Sequence, residues 1–340
     1  MSYSETETIK TIIENASTIL VMQADNPDAD SLGSALALEE MLGDLGKQVH
    51  LYCGVHIPDY LHYIPGWDRV STEVPISFDA SIIVDTSADS LFGILNDSAA
   101  RPLVASKPCI VIDHHAVEPS IPYASVVLNP TAVATGEVLY ELAQQLDWPL
   151  NAGARRALLA AIMSDSLGLT SEGTSPRSIH IVAELAEAGT SIAELEASRR
   201  ELMRKSPELL AYKGRLLERV EYHANGRIAI ITIPWAEIEQ YSYAYNPSML
   251  VLDEMRNVTN VQVALAFKVY NDGKITAKIR CNYGSAIAAD LAKQFGGGGH
   301  PYASGFKIVN KRPFIEVKND CIKAAGQLLD ALPPTSITAI

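Results

Sequence analysis

Thiols are scarce in this 340-residue sequence: Cys53, Cys109, Cys281 and Cys321 lie far apart and form no Cys-x-x-Cys pair. That spacing excludes a cysteine-ligated zinc cluster and a dense disulfide framework, and it reads as reduced residues in a cytoplasmic protein. No uncharged apolar run approaches the ~20 residues that a bilayer-spanning helix needs, so no membrane partner is expected. Met1–Lys10 is polar with two glutamates, which does not read as a secretory signal. Aromatic residues make only 7% of the chain, and there are no internal repeats and no low-complexity tract. Basic residues are in deficit, 27 Lys and Arg against 40 Asp and Glu, a formal charge of −13. Nothing here resembles the long basic track that extended nucleic acid requires. What is present is apolar: 48% of residues are hydrophobic, which excludes disorder, over a length that suits two domains of roughly 150 residues each.

The charge is unevenly spread. Residues 1–198 hold 8 basic and 27 acidic side chains, whereas residues 199–340 hold 19 basic and 13 acidic. Such an asymmetry suggests two domains with different tasks. In the first half, short apolar runs at Thr18–Met22, Val49–Cys53, Ala80–Val84 and Cys109–Ile112 predict strands. Between and after them, helical periodicity covers Ser31–Leu45, Gly136–Leu146 and Arg155–Met163. Buried strands separated by helices predict a mostly parallel α/β sheet. Ser178–Leu217 is helical, charged and poor in strand formers, with Ser206-Pro207 a helix start. Beyond it, β-rich runs at Ile228–Ile233, Val261–Tyr270 and Ile275–Ile279, a hairpin turn at Asn271-Asp272-Gly273 and a helix-like Ser285–Gln294 predict a smaller mixed-sheet domain. The expected division is 1–188, a helical connector 189–218, and 219–335.

Four segments of the first half carry chemistry: Asn26-Pro27-Asp28-Ala29-Asp30-Ser31, Asp85-Thr86, Asp113-His114-His115, and Ser164-Asp165-Ser166. Most follow predicted strands, and ligands of parallel sheets gather at strand carboxyl ends. Oxygen and imidazole donors without thiolates suit Mn²⁺, Mg²⁺, Fe²⁺ or Zn²⁺, and a carboxylate-rich set leans to Mn²⁺ or Mg²⁺. A pair of such ions can clamp phosphorus for in-line attack. Taken singly, Asp28 and Asp30 equally suit a turn and a helix N-cap near Ser31.

Taken together, these segments resemble the DHH phosphoesterases, whose first motif, His-x-Asn-Pro-Asp-x-Asp, is read here as Ala24-Asp25-Asn26-Pro27-Asp28-Ala29-Asp30. Asp85, Asp113-His114-His115 and Asp165 match the second, third and fourth motifs, and Thr135-Gly136-Glu137 and Thr174–Arg177 fall at similar stretches. Phe295-Gly296-Gly297-Gly298-Gly299-His300 looks like the signature of the type 1 DHH-associated domain, with Arg280 upstream. The resemblance implies an N-terminal parallel-sheet domain with flanking helices, a smaller C-terminal mixed-sheet α/β domain, and an active site in the cleft between them. By length and layout it is similar to the branch that hydrolyses very short oligoribonucleotides and 3′-phosphoadenosine-5′-phosphate (pAp), by two-metal in-line attack of water. By that resemblance Asp28, Asp30, Asp85, His114 and Asp165 are metal ligands, most simply for two Mn²⁺, with Asp85 shared. Asp113 supports the cluster and His115 faces the phosphate, while Arg280, Gly298, Gly299 and His300 bind substrate. Short RNA or nucleotide phosphates are the expected partners, and a homodimer is compatible.

The glycine cluster reads physically as an anion cradle, because glycines let backbone N–H groups approach closely; a flexible linker is the alternative. No Gly-Lys-Ser/Thr follows, which excludes a Walker-type loop. One departure is chemical. Ala24 stands where the family has a ligand histidine, which predicts weaker binding of the first metal, a changed metal preference or a changed substrate. A catalytically weakened nucleotide-binding protein, or a relative hydrolysing cyclic or linear dinucleotides, are the alternatives.

Overall fold

The computed structural model describes residues 3–333; the outer ends of the expected domains, at residues 1 and 335, lie outside them. The chain forms two compact units, Met1–Arg204 and Lys205–Ile340. In the first unit, strands β1 (Thr18–Gln23), β2 (Gln48–Cys53), β3 (Val70–Ser71), β4 (Ala80–Val84), β5 (Cys109–Ile112) and β6 (Val126–Leu128) build one sheet. Its order is β3-β2-β1-β4-β5-β6 and every pairing is parallel. Helices α1 (Thr6–Asn15), α2 (Ala29–Asp44), α3 (Gly93–Asn96), α4 (Arg101–Ala105), α5 (Thr135–Gln145), α6 (Ala152–Asp165), α7 (Pro176–Glu187) and α8 (Ile192–Leu202) complete it. The strands alternate between two cores: Ile19 and Val21 face one, Leu20 and Met22 the other. Both faces are therefore apolar, which is why each strand reads as a continuous hydrophobic run.

The chain leaves β1 for β2 on one side and continues to β4 on the other. This reversal opens a crevice at the carboxyl ends of β1 and β4, the usual ligand position of an open parallel sheet. Helix α2 starts at that crevice and is buried along its length from Ala29 to Leu38, so it lacks a polar face. It lies directly against α6: a Cβ on Gly33 would come within 2.6 Å of the Ala157 carbonyl oxygen. Gly136 allows the same closeness between α5 and α6, its added Cβ meeting Ala161 at 2.6 Å. Any side chain at either position would push these helices apart.

The second unit holds α9 (Pro207–Leu217), β7 (Glu221–His223), β8 (Ile228–Pro234), α10 (Trp235–Tyr241), α11 (Leu252–Arg256), β9 (Val263–Val269), β10 (Ile275–Cys281), α12 (Ala288–Gln294), β11 (Gly298–His300), β12 (Ala303–Ile308) and α13 (Phe314–Asp330). Its sheet order is β11-β12-β10-β9-β8-β7, antiparallel except for β8 beside β9. Asn271-Asp272-Gly273 makes the β9–β10 turn, with Gly273 at φ 82° and the Asp272 carboxylate accepting from the Lys274 N–H. Ser206 caps α9 by accepting from the Leu209 N–H, with Pro207 as its first residue. The boundary at Arg204 and Lys205 falls inside the stretch 189–218. Helix α8 is counted with the first unit, and α9 sends Leu209, Tyr212 and Leu216 into a core of the second.

Candidate active site

Asp28 is the N-cap of α2. Its Oδ1 accepts from the Asp30 and Ser31 N–H groups at 3.0 Å each, and Ser31 Oγ in turn accepts from the Asp28 N–H. The capping reading of this segment is thus realised, while the carboxylate stays within interaction range of Asp85 and Asp165. Asp30 is fully buried and accepts from three donors: the Thr135 N–H (2.6 Å), the Gly136 N–H (3.0 Å) and Ser34 Oγ (3.2 Å). Its charge therefore sits at the positive N-terminus of α5.

Asp85 follows β4 with φ 63°, a left-handed conformation that Asp tolerates better than most residues. Thr135 Oγ1 donates to its Oδ1 at 3.1 Å. Asp165 is the last residue of α6, so the fourth segment follows the helix expected over Arg155–Met163. The backbone then turns through three consecutive left-handed residues, Leu167, Gly168 and Leu169.

After β5, buried Asp113 accepts from the His114 N–H (2.8 Å), the His115 N–H (3.2 Å) and His115 Nδ1 (2.8 Å). His114 Nδ1 lies 3.2 Å from the Ala132 carbonyl oxygen, a group that only accepts. Nδ1 therefore carries a proton in either charge state, and Nε2 is the nitrogen that presents a lone pair once the ring is neutral. Around that Nε2 stand Asp85 (3.5 Å), Asp165 (3.5 Å) and Asp30 (3.7 Å), yet it makes no hydrogen bond. Two groups of potential ligands share it: Asp85, His114 and His115, and Asp30, His114 and Asp165.

The electrostatics state the same requirement. Burial first, then neighbouring carboxylates, raises the pKa of Asp28, Asp30 and Asp85 above the ordinary range. Burial opposes charge on His114, but Asp165, Asp85 and Asp30 outweigh it and push its pKa up to about 11. Asp113 moves the other way: burial raises its pKa, and the bonds and charge of His115 more than reverse this. Crowded carboxylates beside an imidazole are compatible with a divalent cation, which replaces the protons that Asp28, Asp30 and Asp85 otherwise favour. The orphaned His114 Nε2, with its Nδ1 anchored to a carbonyl, is the arrangement of a metal-ligating histidine.

The structure brings all of Asp28, Asp30, Asp85, Asp113, His114, His115 and Asp165 together in the first unit. Thr135 was placed in the sequence only by resemblance, and it orients both Asp30 and Asp85; a Thr-Gly pair opening a helix after Asn129-Pro130 was its local signal. Glu137 and Ser175–Arg177 serve packing instead. Glu137 accepts from the Val133 N–H and Ser178 Oγ, Ser175 caps α7, and Arg177 bonds Glu141.

Ala24 is 7% exposed and offers no donor; its carbonyl accepts from Cys53 Sγ. Asp25 is turned toward α3, where its Oδ2 accepts from the Ile94 N–H at 2.8 Å. Gln23 is fully buried and neither atom of its amide has a partner.

In the second unit, Arg280, Gly298, Gly299 and His300 line one hollow of about 810 Å³. The glycine-rich segment is not the flexible linker that was the alternative reading. Gly298–His300 is an edge strand, pairing Gly298 with Gly305, Gly299 with Ser304 and His300 with Ala303. Glycine is required for that closeness: a Cβ on Gly297 would lie 2.2 Å from the Gly305 oxygen, and Gly299 has φ 135°.

Family models place a DHH family N-terminal domain at residues 18–164 and a DHHA1 domain at residues 241–331. The chain is 26% identical over 285 residues to the bifunctional oligoribonuclease and PAP phosphatase NrnA of Thermus thermophilus, covering 82% of this chain and 81% of that one. It is 24% identical over 310 residues to the Bacillus subtilis protein of the same name, covering 89% and 93%. The crystal structure of an exopolyphosphatase-related protein from Bacteroides fragilis shares the fold, with a TM-score of 0.85 at 20% identity over 97% of this chain and 98% of that one. This chain thus carries a DHH family N-terminal domain followed by a DHHA1 domain.

Proposed function

We propose that this chain is a divalent-metal-dependent phosphoesterase that hydrolyses very short oligoribonucleotides and pAp by in-line attack of water. One observation carries the reading: the unpartnered His114 Nε2, 3.5–3.7 Å from three carboxylates, with its other nitrogen held by a backbone carbonyl. The similarity to NrnA proteins over most of the chain supplies the substrate class.

Asp28, Asp30, Asp85, His114 and Asp165 hold the metal, most simply Mn²⁺ and most simply two ions, because the set is rich in carboxylates and lacks thiolates. The bound metal supplies Lewis acidity and lowers the pKa of water. Asp113 fixes His115 through Nδ1, so His115 presents Nε2 to the phosphoryl oxygens and stabilises charge that grows in the transition state. Thr135 holds Asp30 and Asp85 in place by backbone and hydroxyl bonds. Arg280, Gly298, Gly299 and His300 bind the substrate's terminal phosphate, Arg280 with a planar fork suited to two oxygens. No described helix is long and apolar enough to cross a membrane, in keeping with a dissolved, cytoplasmic substrate.

A second reading, a nucleotide-binding protein without turnover, draws on Ala24, since Asp25 is committed to Ile94. A product assay with Mn²⁺ on a pAp and dinucleotide panel separates the two, with Asp85→Ala as control. Release of phosphate or mononucleotide by the wild type alone is expected; binding without product at any metal concentration rejects the enzymatic reading.

A further inference from the structure

We propose that Lys268, Lys278 and Lys307, with Ser248, form a subsite for successive phosphates of a linear phosphate-bearing chain, extending the anchor made by Arg280 and the glycine-rich strand. The register places these cations together. On β10, Ile275, Ala277, Ile279 and Cys281 enter the core, leaving Thr276, Lys278 and Arg280 on the opposite face. Thr276 pairs with Lys268 on β9 and with Lys307 on β12, so both lysines share that face. Lys278 is thus a diagonal cross-strand neighbour of each, roughly 7–8 Å away along the backbone, and Arg280 is two residues further on. Four positive side chains therefore lie at spacings close to those of successive phosphates in an extended nucleotide chain.

All four line the hollow of about 810 Å³, and no Asp or Glu lines it with them. Among the described residues, no carboxylate forms an ion pair with Lys268, Lys278, Lys307 or Arg280. The nearest acidic influence on Arg280 is Asp253, which itself pairs with Arg256. Lys268 and Lys278 are half-buried, and burial lowers the basicity of both; Lys278 adds to this at Lys268, whose pKa falls to about 8, and Arg280 adds to it at Lys278. Assembling unpaired, partly desolvated like charges costs stability, and folds retain such costs where a ligand offsets them. A second feature has the same polarity: Ser248 is 1% exposed, lines the same hollow, and its hydroxyl has no partner.

pAp carries only two phosphate groups. A face with three cations beyond Arg280 suits a chain with more, either an oligonucleotide backbone or inorganic polyphosphate. The choice of an oligonucleotide rests on the proposed reaction, but the binding itself does not.

The test uses the full chain in EDTA, so that no turnover intervenes. Affinity is measured for tetra-adenylate, pAp and tripolyphosphate, together with the salt dependence of each. Every phosphate contact to a single strand contributes about −0.7 to the slope of log K against log salt. The triple variant Lys268→Ser/Lys278→Ser/Lys307→Ser is expected to flatten the tetra-adenylate slope by about 2 and weaken binding at least about tenfold, with a smaller loss for pAp. Lys307→Ser alone, at an exposed position that folding does not depend on, is expected to flatten it by about 0.7. Lys323→Ser, an exposed residue of α13, controls for net charge. The subsite is overturned if the triple variant and Lys307→Ser both match Lys323→Ser, or if pAp and tetra-adenylate lose affinity equally. Lysine-dependent preference for tripolyphosphate over tetra-adenylate overturns the oligonucleotide assignment. If Mn²⁺ gives no product while the lysine-dependent slope persists, the proposed reaction fails and the subsite stands.

Discussion

The two units gather charge of opposite sign. Residues 1–204 carry 11 basic and 28 acidic side chains, and residues 205–340 carry 16 and 12. In the first, the carboxylates of Asp30, Asp85 and Asp165 crowd around His114 at the crevice of a parallel sheet. In the second, Lys268, Lys278, Lys307 and Arg280 share one face of a mixed sheet without acidic partners. Both arrangements cost stability while empty, because like charges are brought together out of water. Each makes sense with a counter-ion: a divalent cation in one unit, a phosphate chain in the other. A formal charge of −13 for the whole chain hides this, since it averages two opposite requirements.

The sharpest way to break the comparison is to remove the shared imidazole. His114→Ala is expected to lower hydrolysis about 10³-fold or more, as loss of a metal ligand does, measured as initial product release at saturating Mn²⁺. Asp85→Asn is expected to act similarly on rate but to raise the melting temperature of the metal-free chain, because it relieves repulsion with Asp30 and Asp28.

A pH series sharpens the same point. Folding raises the pKa of Asp28, Asp30, Asp85 and His114, so the folded state holds their protons more tightly than the unfolded one. That stabilisation is complete below the unfolded values, about 4 for Asp and 6.5 for His, and is lost as pH rises through the folded ones. In EDTA the melting temperature should therefore fall steadily between pH 6 and 9, and Mn²⁺ should flatten the decline. A flat profile in EDTA would contradict the proposed crowding.

Ala24→His is expected to tighten Mn²⁺ binding about tenfold by restoring a donor, read by calorimetric titration; unchanged occupancy and activity would remove Ala24 as the weak point. The smallest effect belongs to the second unit. Lys268 has its pKa lowered from 10.5 to about 8, so its cost is present below pH 8 and disappears as pH climbs past the unfolded value. Lys268→Met should thus stabilise the chain at pH 7, by roughly 1–2 kcal/mol after solvent screening, and lose that advantage near pH 10.5.

Much of this architecture was legible in the sequence. The apolar runs at Ala80–Val84 and Cys109–Ile112 are strands with those same bounds, because strands buried on both faces leave no alternation to confuse. Ser206-Pro207 and Asn271-Asp272-Gly273 worked because capping and turn chemistry are local. The site was legible by residue type but less so by role. Asp28 is a helix cap as well as a candidate ligand, a distinction that depends on the fold. The strand role of the glycine segment was hidden for a physical reason: four glycines signal freedom of backbone, and here that freedom is used for close strand pairing. The lysine face was invisible because Lys268, Lys278 and Lys307 lie on three strands, and only register brings them together.

The central claim is that the carboxylates around His114 form a divalent metal centre. Calorimetric titration of Mn²⁺ into the metal-free full chain tests it most directly, with His114→Ala alongside and circular dichroism to confirm that the variant is folded. Saturable binding of at least one ion by the wild type, weakened about tenfold or more in the variant, is the predicted result. Equal Mn²⁺ affinity in the two proteins, or no saturable binding in the wild type, would contradict it.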